Sequence, residues 1–231
     1  MYDLHPSARL RAAFAARPFQ GAVPEEARYV FVGLDANYAA DIERGPIFEA
    51  MLAYLAEGPA FWRRTGVHHP FLLPAYGSGD GARYHRSFAS LGFSPQHADQ
   101  VSFYELSYVP TVGRSKLVPS DLDRGHLERL SRLVIDGAAR YVFMPDGVAR
   151  LLRTSGAAGW LPKEPRRGSG ALGVWHESRS ATVICHYHLS VYGHQEATKR
   201  AQIEEIRALI AADASRGKTA EPGPCSSFCV R

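Results

Sequence analysis

Four short apolar runs rich in β-branched and aromatic residues are spaced along the chain. They lie at residues 29–34 (YVFVGL), 101–106 (VSFYEL), 141–144 (YVFM) and 181–185 (ATVIC). Continuous apolar runs of this length are typical of strands that are buried on both faces of a sheet. We therefore expect these four runs to be the strands of one central sheet.

Segments with helical spacing of apolar residues alternate with these runs. They cover residues 7–16, 46–55, 83–91, 122–139, 147–154 and 196–212. Strands that alternate with helices along a chain favour a parallel sheet covered by helices. The sequence thus predicts an α/β fold, a three-layer α-β-α sandwich with a central, mainly parallel four-stranded sheet.

The length of the chain favours one domain. The 231 residues, 45% of them hydrophobic, are enough for one large core without disulfides or a structural metal. The apolar pattern fades after residue 212. We expect a domain over residues 1–212 and a flexible tail over residues 213–231.

The net charge and the cysteine count bear on the partner and the cellular location that we expect for the protein. A net charge of +4 and a pI near 9.0 are compatible with a polyanionic partner. The odd count of three cysteines argues against a disulfide framework and for a reducing, cytoplasmic location with access to DNA. The sequence contains no run of eighteen apolar residues, so we expect no membrane contact. We also expect the protein to be a monomer.

Polar residues follow the first and the fourth apolar run. The first is followed by Asp35, Asn37 and Tyr38, and the fourth by residues 186–192 (HYHLSVY). Ligands of parallel sheets bind beyond the carboxyl ends of the strands. An acid, an amide, a phenol, two imidazoles and a hydroxyl should therefore converge at one edge of the sheet.

These two segments resemble the uracil-DNA glycosylase superfamily. Gly33-Leu34-Asp35 has the form of the family's glycine, spacer and acid after the first strand. Residues 186–192 are similar to the end of its His-Pro-Ser-Pro-Leu-Ser loop, followed by Val-Tyr, but they lack the prolines. The loop is one residue shorter, so His186 or His188 could occupy the place of the catalytic histidine. Residues 81–93 and 107–114 are similar to the mismatch-specific branch.

The resemblance implies a metal-free glycosylase without a cofactor that flips a base from DNA containing uracil or a mismatch. Asp35 would stabilise the sugar cation or activate water, and the histidine would donate to the departing base. Leu189 would be an exposed wedge that fills the vacated stack, and Ser190 would hold a phosphate. Either Phe71 or Tyr76 would stack on the base, and either Glu105 or Ser107 would read its edge. The full set of implied contacts is Gly33, Leu34, Asn37, Tyr38, Phe71, Glu105 and Ser107 for the base, and Leu189, Ser190, Tyr192 and Arg114 for DNA.

Other functions remain open at this stage. One is a noncatalytic nucleic-acid-binding module of the same fold, and another is a small-molecule nucleoside or phosphate-ester hydrolase. Zinc binding by Cys185, the two histidines and His194 is disfavoured because successive strand residues point to opposite faces. P-loop, nucleophile-elbow and four-cysteine cluster motifs are absent from the sequence, which disfavours the corresponding chemistries.

Overall fold

The computed structural model describes residues 3–77, 81–112 and 117–219, with side chains as far as residue 215. These residues contain seven α-helices. They are α1 (Ala8–Ala16), α2 (Phe48–Glu57), α3 (Pro59–Thr65), α4 (Ala82–Ala89), α5 (Arg124–Asp136), α6 (Asp146–Thr154) and α7 (Glu196–Thr219). Within the described ranges, none of these helices combines the length and the apolar character that crossing a membrane requires.

The strands of the described residues form one large sheet and one short pair. They are β1 (Gln20–Gly21), β2 (Tyr29–Gly33), β3 (Asn37–Tyr38), β4 (Val101–Glu105), β5 (Thr111–Val112), β6 (Tyr141–Pro145), β7 (Arg166–Arg167), β8 (Gly173–Glu177) and β9 (Thr182–His186). The large sheet has the order β1-β4-β2-β6-β9-β8-β7, and β3 pairs with β5.

The α/β fold with a mostly parallel sheet is confirmed, but the predicted count of four strands is not. Strands β4, β2, β6 and β9 are the four predicted ones, and they are mutually parallel. The described sheet has seven strands because β1, β8 and β7 add antiparallel edges. The edge strands β1 and β7 span two residues each, which is too short to give a periodic apolar signal.

Both faces of the parallel strands are buried, which explains their continuous apolar sequence. Helices α5 and α6 pack against one face, and α3, α4 and α7 pack against the other. Side chains of β2 and β6 alternate between the two cores: Val30, Val32, Val142 and Met144 in the first, and Tyr29, Phe31, Tyr141 and Phe143 in the second.

The last helix continues beyond its predicted end at residue 212. Asp213 is 3% exposed, and its carboxylate accepts hydrogen bonds from Arg28 Nη2 (2.7 Å) and the Tyr29 hydroxyl (2.8 Å). Since α7 reaches Thr219, the helix extends seven residues beyond the domain boundary predicted at residue 212, and the first part of the predicted tail is helical. Cys225 and Cys229 lie outside the described residues.

Candidate functional site

The carboxyl ends of the four parallel strands meet at one edge of the sheet. The chain passes from β2 to β4 on one side and then to β6 on the other, so the direction of winding reverses beside β2. Open α/β sheets bind ligands at such a reversal. The side chains nearest to this reversal lie at the ends of β2 and β4 or in the loops that follow these strands. The histidine loop follows β9 at the same edge of the sheet.

Asp35 lies in the loop after β2 and is held by the segment after β4. Backbone hydrogen bonds join the two segments, including Ser107 N to Leu34 O (2.9 Å) and Thr111 N to Ala36 O (3.0 Å). The Thr111 hydroxyl donates to the half-buried Asp35 carboxylate. Asn37 Nδ2 lies 3.1 Å from Thr111 Oγ1 and 3.5 Å from Asp35 Oδ2. Asp35 is thus a fixed acceptor at the edge of the sheet, whereas Thr111 carried no signal in the sequence.

Glu105 is the last residue of β4 and lies beside Gly33 in the sheet register. A Cβ atom at position 33 would overlap the Glu105 carboxyl group, so glycine at this position makes room for it. Burial, together with the neighbouring charge of Asp35, raises the pKa of Glu105 to about 8. A carboxyl group that stays protonated near neutral pH can donate a hydrogen bond or a proton.

Three tyrosines from three different elements are near enough to Glu105 to feel its charge: Tyr38 of β3, Tyr54 of α2 and Tyr84 of α4. Their pKa values are raised chiefly by burial, and the charge of Glu105 raises each further. The Tyr54 hydroxyl is buried and has no hydrogen-bond partner among the described residues. A buried hydroxyl without a partner is costly to the fold.

His186, the last residue of β9, has no free N–H group to donate to a ligand. Its Nδ1 lies 2.6 Å from the Tyr187 carbonyl oxygen, so Nδ1 must carry the proton. Burial lowers the pKa of His186 to about 4, and the ring is neutral at pH 7. Nε2 then has only a lone pair. That atom is buried and without a partner in the described part of the chain.

His188 has the opposite tautomer. Its Nδ1 accepts from the Ser190 hydroxyl (2.6 Å) and lies 3.4 Å from the Ser190 backbone N–H, which places the proton on Nε2. Burial lowers the pKa of His188, so the ring is a neutral donor. Its ring centroid is 5.2 Å from that of Tyr84. Of the two histidines, His188 therefore has the protonation that donation to a ligand requires.

Helix α7 fixes the histidine loop. Gln202 Oε1 accepts from Tyr187 N (2.7 Å), and Gln202 Nε2 donates to Ala171 O (2.9 Å). One turn earlier, Lys199 Nζ donates to Val191 O (2.9 Å). Both side chains are buried. The sequence did not single out these two residues as functional. The signal that could have identified them is that both are polar residues on the apolar face of a helix.

Leu189 is not exposed as the sequence analysis expected. The predicted exposed wedge is wrong, because Leu189 is 1% exposed and packs in the core with residues of β2 and α7. Tyr192 is the exposed apolar residue of this loop, at 70%. The Arg83 guanidinium lies 4.5 Å from the centre of its ring. A cation over an exposed aromatic ring is a feature that stacking on nucleic acid uses.

Other predicted contacts are less accessible. Phe71 is 6% exposed, and Tyr76 is stacked on its ring at 4.3 Å, so a base could not stack on Phe71 unless Tyr76 moved. Tyr38 is buried against Phe71. The Ser107 hydroxyl is buried and donates to the Val109 carbonyl (3.0 Å). Leu34 is exposed at the rim, and Arg114 lies outside the described residues.

Three neutral histidines lie close to Tyr54 and Tyr84. His68 Nε2 lies 3.1 Å from His85 Nδ1, and the rings of His69 and His85 stack with centroids 3.6 Å apart. Burial lowers the pKa of all three, that of His85 to about 3. No group of three or more histidine, cysteine or acidic side chains in the described ranges could hold a metal ion.

No protein-family model matches the chain, and no curated protein sequence matches it. The resemblance to uracil-DNA glycosylases rests on the quoted residues alone.

Proposed function

We propose that the protein is a DNA glycosylase that hydrolyses the N-glycosidic bond of a damaged base, uracil first among candidates, and leaves an abasic site that initiates base excision repair. The observation that carries this proposal is Asp35, a fixed acceptor, beside Glu105, a carboxyl group that is largely neutral at pH 7. Hydrolysis of glycosidic bonds commonly uses two carboxyl groups in separate protonation states.

The roles follow from the charges that develop in the reaction. Cleavage builds positive charge on the deoxyribose and negative charge on the departing base. Asp35 stabilises the sugar and orients or deprotonates the attacking water. His188 donates from Nε2 to the base oxygen, and His186 supports the loop. Because a base in a duplex is out of reach, the nucleotide is flipped, and Tyr192 with Arg83 contacts the strand.

Several finer expectations belong to the same proposal. The helices on the two sheet faces and the four parallel strands would form a three-layer α-β-α core. The enzyme would act as a monomer inside the cell, where it has access to DNA, and would need no metal or cofactor. The assignment of a subfamily is not part of the proposal.

A second candidate is a hydrolase of free nucleosides. The burial of Leu189 favours it, because a small substrate does not have to be extracted from a stacked duplex and needs no wedge. The same carboxyl pair would perform the same bond cleavage.

The test compares uracil in single-stranded, U:G and U:A oligonucleotides with free deoxyuridine, measuring abasic sites by alkaline cleavage and free base by chromatography. We expect excision from at least one oligonucleotide, and a loss of about 10²-fold or more in Asp35→Asn because the fixed charge on the sugar side is removed. Asp41→Asn, a change at an exposed acid, is the control.

Cleavage of deoxyuridine alone would favour the nucleoside hydrolase. DNA binding without cleavage of either substrate would favour the noncatalytic module. An unchanged rate in Asp35→Asn would show that the site has been placed wrongly.

A further inference from the structure

Tyr192 and Arg83 form an exposed stack at the end of the histidine loop, residues 186–192. Tyr192 is the most exposed large apolar side chain of this loop, and the Arg83 guanidinium lies over its ring at 4.5 Å from the centre. The guanidinium covers one face of the ring and leaves the other face open. An aromatic ring that is held in place and exposed on one face can stack on an unpaired base.

A second loop, residues 168–172, lies beside the histidine loop. It follows Arg167, the last residue of β7, which pairs with the start of β8, and that part of β8 pairs with the carboxyl end of β9. Gln202 of α7 bonds both loops, through Tyr187 N (2.7 Å) in one and Ala171 O (2.9 Å) in the other. The two loops are therefore neighbours at the same edge of the sheet.

Helix α7 also fixes the conformation of the second loop. The Glu205 carboxylate accepts hydrogen bonds from Ala171 N (2.5 Å) and Leu172 N (3.0 Å). A Cβ atom at position 170 would overlap this carboxylate, so glycine is required there for the close approach. Residues 168–170 are exposed. A loop that is exposed but already ordered loses little conformational entropy when it binds a partner.

Three exposed arginines of this region have no acidic partner within the described ranges. Arg83 and Arg86 lie three residues apart on α4, and Arg167 ends β7; none of the three takes part in an ion pair there. The acids Glu177 and Glu196 on neighbouring elements already pair with other cations. The three guanidinium groups therefore keep their charge available for a polyanion.

We propose that the stack of Tyr192 and Arg83, together with Arg86 and Arg167, binds a single strand of DNA, and that the enzyme therefore prefers single-stranded to duplex substrates. This inference rests on the proposed glycosylase function and names the form of its substrate. A base stacks on the open face of Tyr192, and Arg86 and Arg167 contact phosphates of the same strand. An unpaired base reaches the ring without the cost of opening a duplex, and the buried Leu189 cannot hold a duplex open.

The two kinds of contact depend differently on salt. Each phosphate contact releases counterions, so the affinity for a single strand falls with salt by a logarithmic slope of about 0.7 for each contact. Stacking of a base on an aromatic ring releases none. Loss of the Tyr192 ring should therefore weaken binding equally at every salt concentration, whereas loss of Arg86 or Arg167 should make the salt dependence less steep.

The experiment measures fluorescence anisotropy of a labelled DNA strand without a damaged base, of its duplex and of an RNA strand of the same sequence, over a series of salt concentrations. We expect Tyr192→Ala to weaken binding of the DNA strand by about tenfold and of the duplex by less than about twofold, and Tyr192→Phe to bind like wild type. Arg86→Ala and Arg167→Ala should each lower the salt slope by about 0.7. The control is Arg179→Ala, at an exposed arginine between β8 and β9 at the opposite edge of the sheet, and it should change neither quantity.

The outcomes separate this inference from the function on which it rests, because excision of uracil from the same strand and duplex is measured in parallel. Equal losses of Tyr192→Ala on strand and duplex, wild-type salt slopes in both arginine variants, or tighter binding of RNA than of DNA would overturn the inference. Excision by wild type without preference for the single strand would overturn it and leave the glycosylase. The expected binding pattern without excision would support the surface and overturn the glycosylase, and neither binding nor excision would overturn both.

Discussion

The raised pKa of Glu105 makes the stability of the folded protein depend on pH. A carboxyl group with an ordinary pKa near 4.5 that rises to about 8 on folding binds its proton more tightly in the folded state. Its contribution to stability is fully present below pH 4.5 and is lost progressively as the pH rises to 8. The site therefore destabilises the protein at neutral and alkaline pH.

Glu105→Gln should raise the free energy of unfolding, by an amount that grows from pH 5 to pH 8 and is then constant. The gain should be on the order of 3 kcal/mol, because glutamine has no charge to desolvate. Urea denaturation of wild type, Glu105→Gln and the control Glu164→Gln at pH 5, 6, 7, 8 and 9 measures it. A gain that is the same at pH 5 and pH 9 would contradict the raised pKa.

At the scale of elements, α7 determines the conformation of the loop that follows β9. Gln202 bonds Tyr187 N and Ala171 O, and Lys199 bonds Val191 O, so one face of the helix positions both histidines. The isoleucines of the same face, Ile203 and Ile206, pack in the core. The loop is held by a helix that begins only four residues after Tyr192.

Gln202→Leu should loosen the 186–192 loop and lower activity more than stability alone explains. The change leaves a buried N–H and a buried carbonyl without partners, which costs about 1–3 kcal/mol each. We expect faster hydrogen exchange at the amides of Tyr187 and its neighbours, together with a fall in kcat. Gln96→Leu, at an exposed glutamine, is the matched control. Unchanged exchange in the loop would show that Gln202 does not position it.

At the scale of the whole molecule, buried neutral histidines should make the fold sensitive to acid. His68, His69, His85 and His186 all have pKa values below the usual 6.5 because burial disfavours the charged ring. The unfolded chain binds protons below pH 6.5, whereas the folded chain does not until far lower pH. Stability therefore falls as the pH decreases from 6.5.

Between pH 6 and pH 4, the free energy of unfolding falls as the pH decreases. His85→Phe should make this fall less steep by about 1.4 kcal/mol per pH unit, because one fewer proton is taken up on unfolding. The phenyl ring has a similar shape and cannot be protonated. Urea midpoints and m-values at intervals of half a pH unit give the slope. His194→Phe removes an exposed histidine and should leave it unchanged. Equal slopes in wild type and His85→Phe would mean that His85 is protonated in the folded protein.

The sequence by itself determined the central strands and the position of the candidate chemistry. Because β2, β4, β6 and β9 are buried on both faces, nearly all of their residues before the carboxyl ends are apolar or small. This pattern can be recognised in the sequence without the structure. Their parallel arrangement then placed Asp35, Glu105 and the histidines at one edge. The sequence predicted the start of helix α7 correctly but placed its end too early. The last turns of α7 are held by the hydrogen bond of Asp213 to Arg28. These two residues lie 185 positions apart in the chain, so no local pattern reveals the contact.

Only the tertiary structure decided which side chains are free to act. Leu189 is buried because of what α7 and β2 place around it, and no local pattern reveals that. The contact of Glu105 with Gly33 depends on the register of two strands 72 residues apart in the chain, and the acidity of Glu105 depends on burial and on the charge of Asp35. The tautomers of His186 and His188 follow from single hydrogen bonds to Tyr187 and Ser190. Burial, register and hydrogen-bond geometry are long-range properties, and for that reason the sequence could propose the residues of the site but not their protonation.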